Sequence, residues 1–145
     1  MSAESDLSLE QFLEQWPAGQ AGLKKSLLAY RQGVLELQGV SETFLPRPGV
    51  SYSLRWDLDP RPQGREKPLF ALADVVPLGE EEMMLSLCFY GDDISDPEEL
   101  GNFIPGGLYG ENGHCFDLEG DDPQMVAYCL IRAAEAQAAA RREAA

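Results

Sequence analysis

Basic residues are scarce in this chain, and no Lys or Arg occurs between Lys67 and Arg132. Eleven basic residues stand against 25 acidic ones, for a formal net charge of −14. A field of that sign repels phosphate backbones wherever salt does not screen it, so no nucleic acid is expected as a partner. His114 is the only histidine, and the three cysteines, Cys88, Cys115 and Cys129, show no C-x-x-C spacing. That set is too thin for a zinc site. The odd cysteine count and irregular spacing predict reduced, buried thiols. No calcium-loop pattern accompanies Asp92, Asp93 and Asp96 or Glu119, Asp121 and Asp122, so neither a metal nor another cofactor is expected. The apolar runs fall short of the ~18 residues of a membrane helix, and the opening Met-Ser-Ala-Glu-Ser-Asp has no basic or apolar leader region. A cytoplasmic protein without a membrane partner is the expectation.

Hydrophobic residues make up 44% of the 145, enough for one packed core and against disorder. A single domain over 1–145 follows, with residues 1–6 and 138–145 frayed. Ser8 and Gln11 form a capping-box pattern ahead of Leu9, Phe12, Leu13 and Trp16. Leu23, Leu27, Tyr30, Val34 and Leu37 recur at helical spacing, and Gly39 supplies a stop. The period then changes to two. Over residues 51–57, Tyr52, Leu54 and Trp56 face one way and Ser51, Ser53 and Arg55 the other, which predicts a strand with one wet face. Residues 40–45 are its partner across Pro46-Arg47-Pro48-Gly49. The apolar runs 69–76 and 83–90 read as central strands of a second hairpin. Asp96-Pro97-Glu98-Glu99 and Asp122-Pro123 both read as helix starts. Asn112-Gly113 reads as the turn of a late hairpin. The sum is a two-layer α+β fold: an antiparallel β-meander of four to six strands with N-terminal and C-terminal helices packed on one face.

Two regions carry candidate chemistry. Arg47, Arg55 and Arg65 flank one hairpin, where guanidinium groups clamp carboxylate or phosphate, and Tyr52 and Trp56 would add an aromatic platform beside Arg55. The bland alternative is a solvated hairpin whose charges pair with Asp57, Asp59 and Glu66. The glycine-rich segment 101–120 holds Tyr109 and His114. Adjacent residues in a strand point to opposite faces, so His114 and Cys115 make a poor nucleophilic pair. The reading is a non-catalytic binding or regulatory module for a protein partner or a small anionic ligand. The alternative is a small enzyme using His114 with a carboxylate as acid and base. A homodimer is a further option, through the 83–90 strand at a sheet edge.

Arg-Pro-Gly-Val-Ser-Tyr-Ser-Leu-Arg, Lys-Pro-Leu-Phe-Ala-Leu-Ala-Asp-Val-Val and Leu-Ser-Leu-Cys-Phe-Tyr, within residues 27–117, resemble segments of a group of small uncharacterised bacterial α+β proteins. In order of elements alone, the chain is also similar to the YjbR/MmcQ-like family. The resemblance implies a helix before a meander with helices closing the sheet, and it supplies no catalytic residues. The nucleic-acid binding considered for YjbR-like proteins is at odds with the acidic balance here.

Overall fold

The computed structural model describes residues 7–60 and 68–144. Helices α1 (Leu9–Glu14), α2 (Ala21–Leu35) and α3 (Pro123–Ala144) accompany six strands: β1 (Val40–Arg47), β2 (Ser51–Leu58), β3 (Leu69–Pro77), β4 (Met83–Tyr90), β5 (Asn102–Leu108) and β6 (Glu111–Leu118). All pairings are antiparallel, in the order β1-β2-β3-β4-β6-β5. The first four strands are a meander, and β6 lies between β4 and β5. This is an α+β fold with helices at both ends of the chain. Among the described residues no helix is long and apolar enough to cross a membrane.

Local chemistry sets the helix starts. Ser8 Oγ accepts from the Gln11 amide at 3.1 Å, and Gln11 Oε1 accepts from the Ser8 amide at 2.9 Å, closing the capping box of α1. At the head of α3, Asp122 Oδ1 accepts from the Met125 amide at 3.1 Å. Ser26 Oγ of α2 donates to Gly120 O at 2.8 Å and accepts from the Asp122 amide at 3.0 Å, so the start of α3 is docked on α2. A Cβ on Gly33 would stand 2.5 Å from Leu130 Cδ2. That close approach of α2 and α3 is the return for placing glycine in a helix. The alanine-rich end of α3 is helical to Ala144, and Ala136, Ala139 and Ala140 are buried. Gln137 Nε2 donates to Gln38 O at 2.6 Å. Packing as well as propensity therefore holds this end.

The main core joins Phe12 and Trp16, the α2 stripe of Leu23, Leu27, Tyr30 and Val34, the helix-facing side chains of the sheet, and Val126, Cys129 and Ala133 of α3. Arg31 grips Glu42 through Nε at 2.9 Å and Nη2 at 2.8 Å, and Trp56 Nε1 donates to the same carboxylate at 2.9 Å. Glu42 and Trp56 sit opposite each other in the β1–β2 register, so this bidentate pair ties α2 to the sheet.

Four expectations are corrected. Residues 96–99 open no helix but an irregular turn in which Glu99 takes φ 53°. The late hairpin turns at Tyr109 and Gly110, with φ of 49° and 82° between Leu108 and its partner Glu111. Both central residues there have positive φ, as a type I′ turn requires. Asn112 and Gly113 instead lie within β6. Strand β4 is internal, and the sheet edges are β1 and β5. Finally, Cys88 and Cys115, directly opposed on β4 and β6, form a disulfide, and only Cys129 is a free buried thiol. Their spacing of 27 residues hides a register in which the two side chains share one face of adjacent strands.

Candidate functional site

Asp96 follows β4 and faces β6 and α3. Its Oδ2 meets His114 Nε2 at 2.9 Å and accepts from the Gly101 amide at 2.9 Å. Its Oδ1 accepts from the Leu100 amide at 3.0 Å and from the Tyr128 hydroxyl at 2.5 Å. Burial by itself would raise this carboxyl, but the donors Tyr128, Gly101, His114 and Leu100 more than offset it and hold it well below the usual carboxylate range. With the carboxylate ionised, His114 Nε2 is the donor in their contact. A Cβ on Gly101 would fall 2.7 Å from His114 Cδ2 and 2.8 Å from a Phe116 ring carbon. Only glycine fits at that point of the turn.

The network extends along α3. Arg132 lies over the Tyr128 ring at 4.5 Å and donates from Nε to Glu135 Oε1 at 2.6 Å. Glu135 in turn accepts from Ser95 Oγ at 2.6 Å and from the Ser95 amide at 3.2 Å. Burial raises the Glu135 carboxyl, whereas Ser95 and Arg132 lower it, and the lowering prevails. The turn at residues 95–101 is thus pinned from both sides. An Asp-His pair is the orienting half of an acid/base device, yet this carboxylate already has four donors, and Cys115 is bonded to Cys88. The arrangement positions backbone.

A second cluster lies on the sheet face away from the helices. Leu69, Leu72, Cys88, Tyr90, Leu108 and Cys115 are buried together there. The β5–β6 tip reaches back over this cluster, and the guanidinium carbon of Arg55 stands 5.1 Å from the centre of the Tyr109 ring. Arg55 Nη2 is 3.8 Å from Asp57 Oδ1, with the arginine side chain 26% exposed. Among the described residues its buried Nε has no hydrogen-bond partner.

The fold therefore brings together two regions that are 54 positions apart in sequence, through Arg55 and Tyr109. Arg47, at the end of β1, donates from Nη2 to Ser51 Oγ at 2.6 Å. Arg65 lies outside the described residues. Tyr52 and Trp56 form no platform beside Arg55. They face the helix layer, where Tyr52 stacks on Phe12 at 4.5 Å and Trp56 is fully buried. The face expected to be wet is partly dry: Ser51 and Ser53 are buried, and Ser53 Oγ donates to Asp74 Oδ1 at 2.7 Å. Sequence reasoning missed Asp96, Tyr128, Arg132 and Glu135. The available signal was Asp96 before a proline, which serves a helix cap and a side-chain-closed turn equally well. Among the described residues no group of three His, Cys, Asp or Glu side chains is arranged to hold a metal ion. Compared with known proteins, the chain gives no significant match to a family model, a curated protein or a solved structure.

Proposed function

We propose that the chain is a non-catalytic binding module that takes an anionic group, a carboxylate or phosphate of a small ligand or of a protein, at Arg55 under Tyr109. The observation that carries this reading is the state of the Arg55 guanidinium. Among the described residues it has a loose carboxylate neighbour at 3.8 Å, a buried Nε without an acceptor, and an aromatic ring at 5.1 Å. A planar fork so placed accepts a second, bidentate anion and keeps its stacking partner. Acid/base catalysis by His114 is the weaker reading, because the carboxylate beside it is saturated with donors.

Titration calorimetry with inorganic phosphate and a series of mono- and dicarboxylates tests this. Saturable binding of at least one anion is expected. Arg55→Gln is expected to weaken it at least tenfold while changing stability by less than about 1 kcal/mol, since partly exposed ion pairs contribute little. Arg55→Lys is expected to fail as well, because a point charge does not replace the fork. Absence of saturable binding across the series, or equal binding by Arg55→Gln, sinks the reading.

A further inference from the structure

Strand β5 ends the sheet, and its first half, with the turn just before it, is unusually apolar for an open edge. Phe103 is 58% exposed, Leu100 44% and Ile104 40%, all within five consecutive residues. Main-chain geometry adds a docking point. The Cα–Cα distance of 4.1 Å between Cys88 and Cys115 marks a non-hydrogen-bonded pair of β4 and β6. Cys115 therefore directs its N–H and C=O toward its β5 partner Asn102, and Ile104 bonds likewise to Gly113. Alternation leaves the N–H and C=O of Phe103 pointing out from the edge. On one side of that point the Leu100 and Gly101 amides are already taken by Asp96. On the other, Pro105 has no N–H and the ladder is interrupted between Ile104 and Leu108. The edge therefore offers a single donor–acceptor pair flanked by apolar side chains. That suits a short extended segment and blocks continuous pairing with another sheet.

Charge identifies the segment. Residues 68–131 hold 14 of the 25 acidic residues and no Lys or Arg, whereas the rest of the chain holds eleven of each. Asp92, Glu98 and Glu99, near the edge in sequence, are all exposed. The turn that presents Leu100 is held by the four donors on Asp96 and places Glu99 in the left-handed region, an arrangement that costs free energy and persists because the network enforces it. Two copies meeting at this edge would bring these acidic surfaces together, which disfavours self-association.

We infer that the β5 edge at Leu100, Phe103 and Ile104 docks a short, extended, basic peptide segment with apolar anchors, using the Phe103 main chain as its hydrogen-bonding point. This goes beyond the anion site at Arg55. The test uses the full chain and a fluorescein-labelled peptide of alternating lysine and valine, with lysine–glycine and glutamate–valine peptides as controls, read by anisotropy and by backbone amide shift mapping. Saturable binding of the lysine–valine peptide is expected, with shifts centred on residues 100–104 and affinity falling as salt is raised. Both controls are expected to bind at least tenfold more weakly. Phe103→Ser and Leu100→Ser are expected to weaken binding at least tenfold at an unchanged melting temperature, and Arg55→Gln to leave it intact. No binding, shifts centred elsewhere, equal binding of the lysine–glycine peptide, or concentration-dependent dimerisation abolished by Phe103→Ser would each overturn the proposal.

Discussion

Replacing Asp96 with alanine is expected to lower the unfolding free energy by about 3 kcal/mol or more, the range for removing one partner from a buried, charge-assisted network. The carboxylate side chain is only 10% exposed, and it accepts from two backbone amides, the Tyr128 hydroxyl and His114 Nε2. Alanine would leave all four donors without that acceptor, and Tyr128 is buried as well. Asp96→Asn is expected to be intermediate, because the amide keeps one acceptor oxygen but turns an N–H₂ group toward other donors. The pH dependence has a definite sign. The Asp96 carboxyl is held below its ordinary value in the folded state, so the unfolded chain takes up the proton first as pH falls. The stabilisation is complete above the ordinary carboxylate value of about 4 and is lost progressively below it, toward the lowered folded value. Glu135, also lowered, adds in the same direction. Urea unfolding of both proteins at pH 7 and pH 3 measures this. The gap between wild type and Asp96→Ala should narrow at pH 3. A gap under about 0.5 kcal/mol at pH 7 would show that water replaces the carboxylate at little cost.

The regular elements were legible because their signals are local. Ser8 with Gln11, the 23–27–30–34 stripe and the alternation from Ser51 to Asp57 each determine structure within a few residues. The turn at 96–101 was not legible, because Asp-Pro-Glu-Glu satisfies the rules for a helix start. What decides the outcome is non-local: Tyr128, 32 positions on, and His114, 18 positions on, draw the Asp96 carboxylate away from a helix end. Placement of the hairpin turn failed for a related reason. Asn112-Gly113 is the better turn dipeptide, but Leu108 is needed in the outer cluster, and that fixes Tyr109 and Gly110 at the tip. Of the candidate residues, Arg55 and Tyr109 were both singled out, yet their meeting depends on a hairpin folding back across the sheet, which no periodicity encodes. Tyr52 and Trp56 were placed correctly on a shared strand face. That face is the one the helices cover.

Reduction of the Cys88–Cys115 disulfide is expected to destabilise the protein by roughly 3–4 kcal/mol in the chain-entropy account, in which a cross-link closing a loop of this span restricts the unfolded chain. For a domain of this size that corresponds to a fall in melting temperature of roughly 10 °C. The effect should not be evenly spread. Both cysteines belong to the outer cluster in which Leu108 is packed, and Leu108 precedes the Tyr109 that lies over Arg55. Loss of the bond is therefore expected to loosen the β5–β6 tip first, seen as faster amide exchange at residues 108–111 than in the helix layer. Thiol counting defines the starting state. The oxidised protein should show one thiol, Cys129, reactive only on unfolding because it is fully buried, and the reduced protein three. Burial also pushes the Cys129 thiol up to about 12, which keeps it unreactive near neutral pH while the protein is folded. Three thiols in protein never exposed to reductant would mean that the bond does not form. A melting temperature indifferent to reductant, in protein shown by thiol counting to change from one thiol to three, would mean that the β4–β6 pairing holds this part of the fold without it.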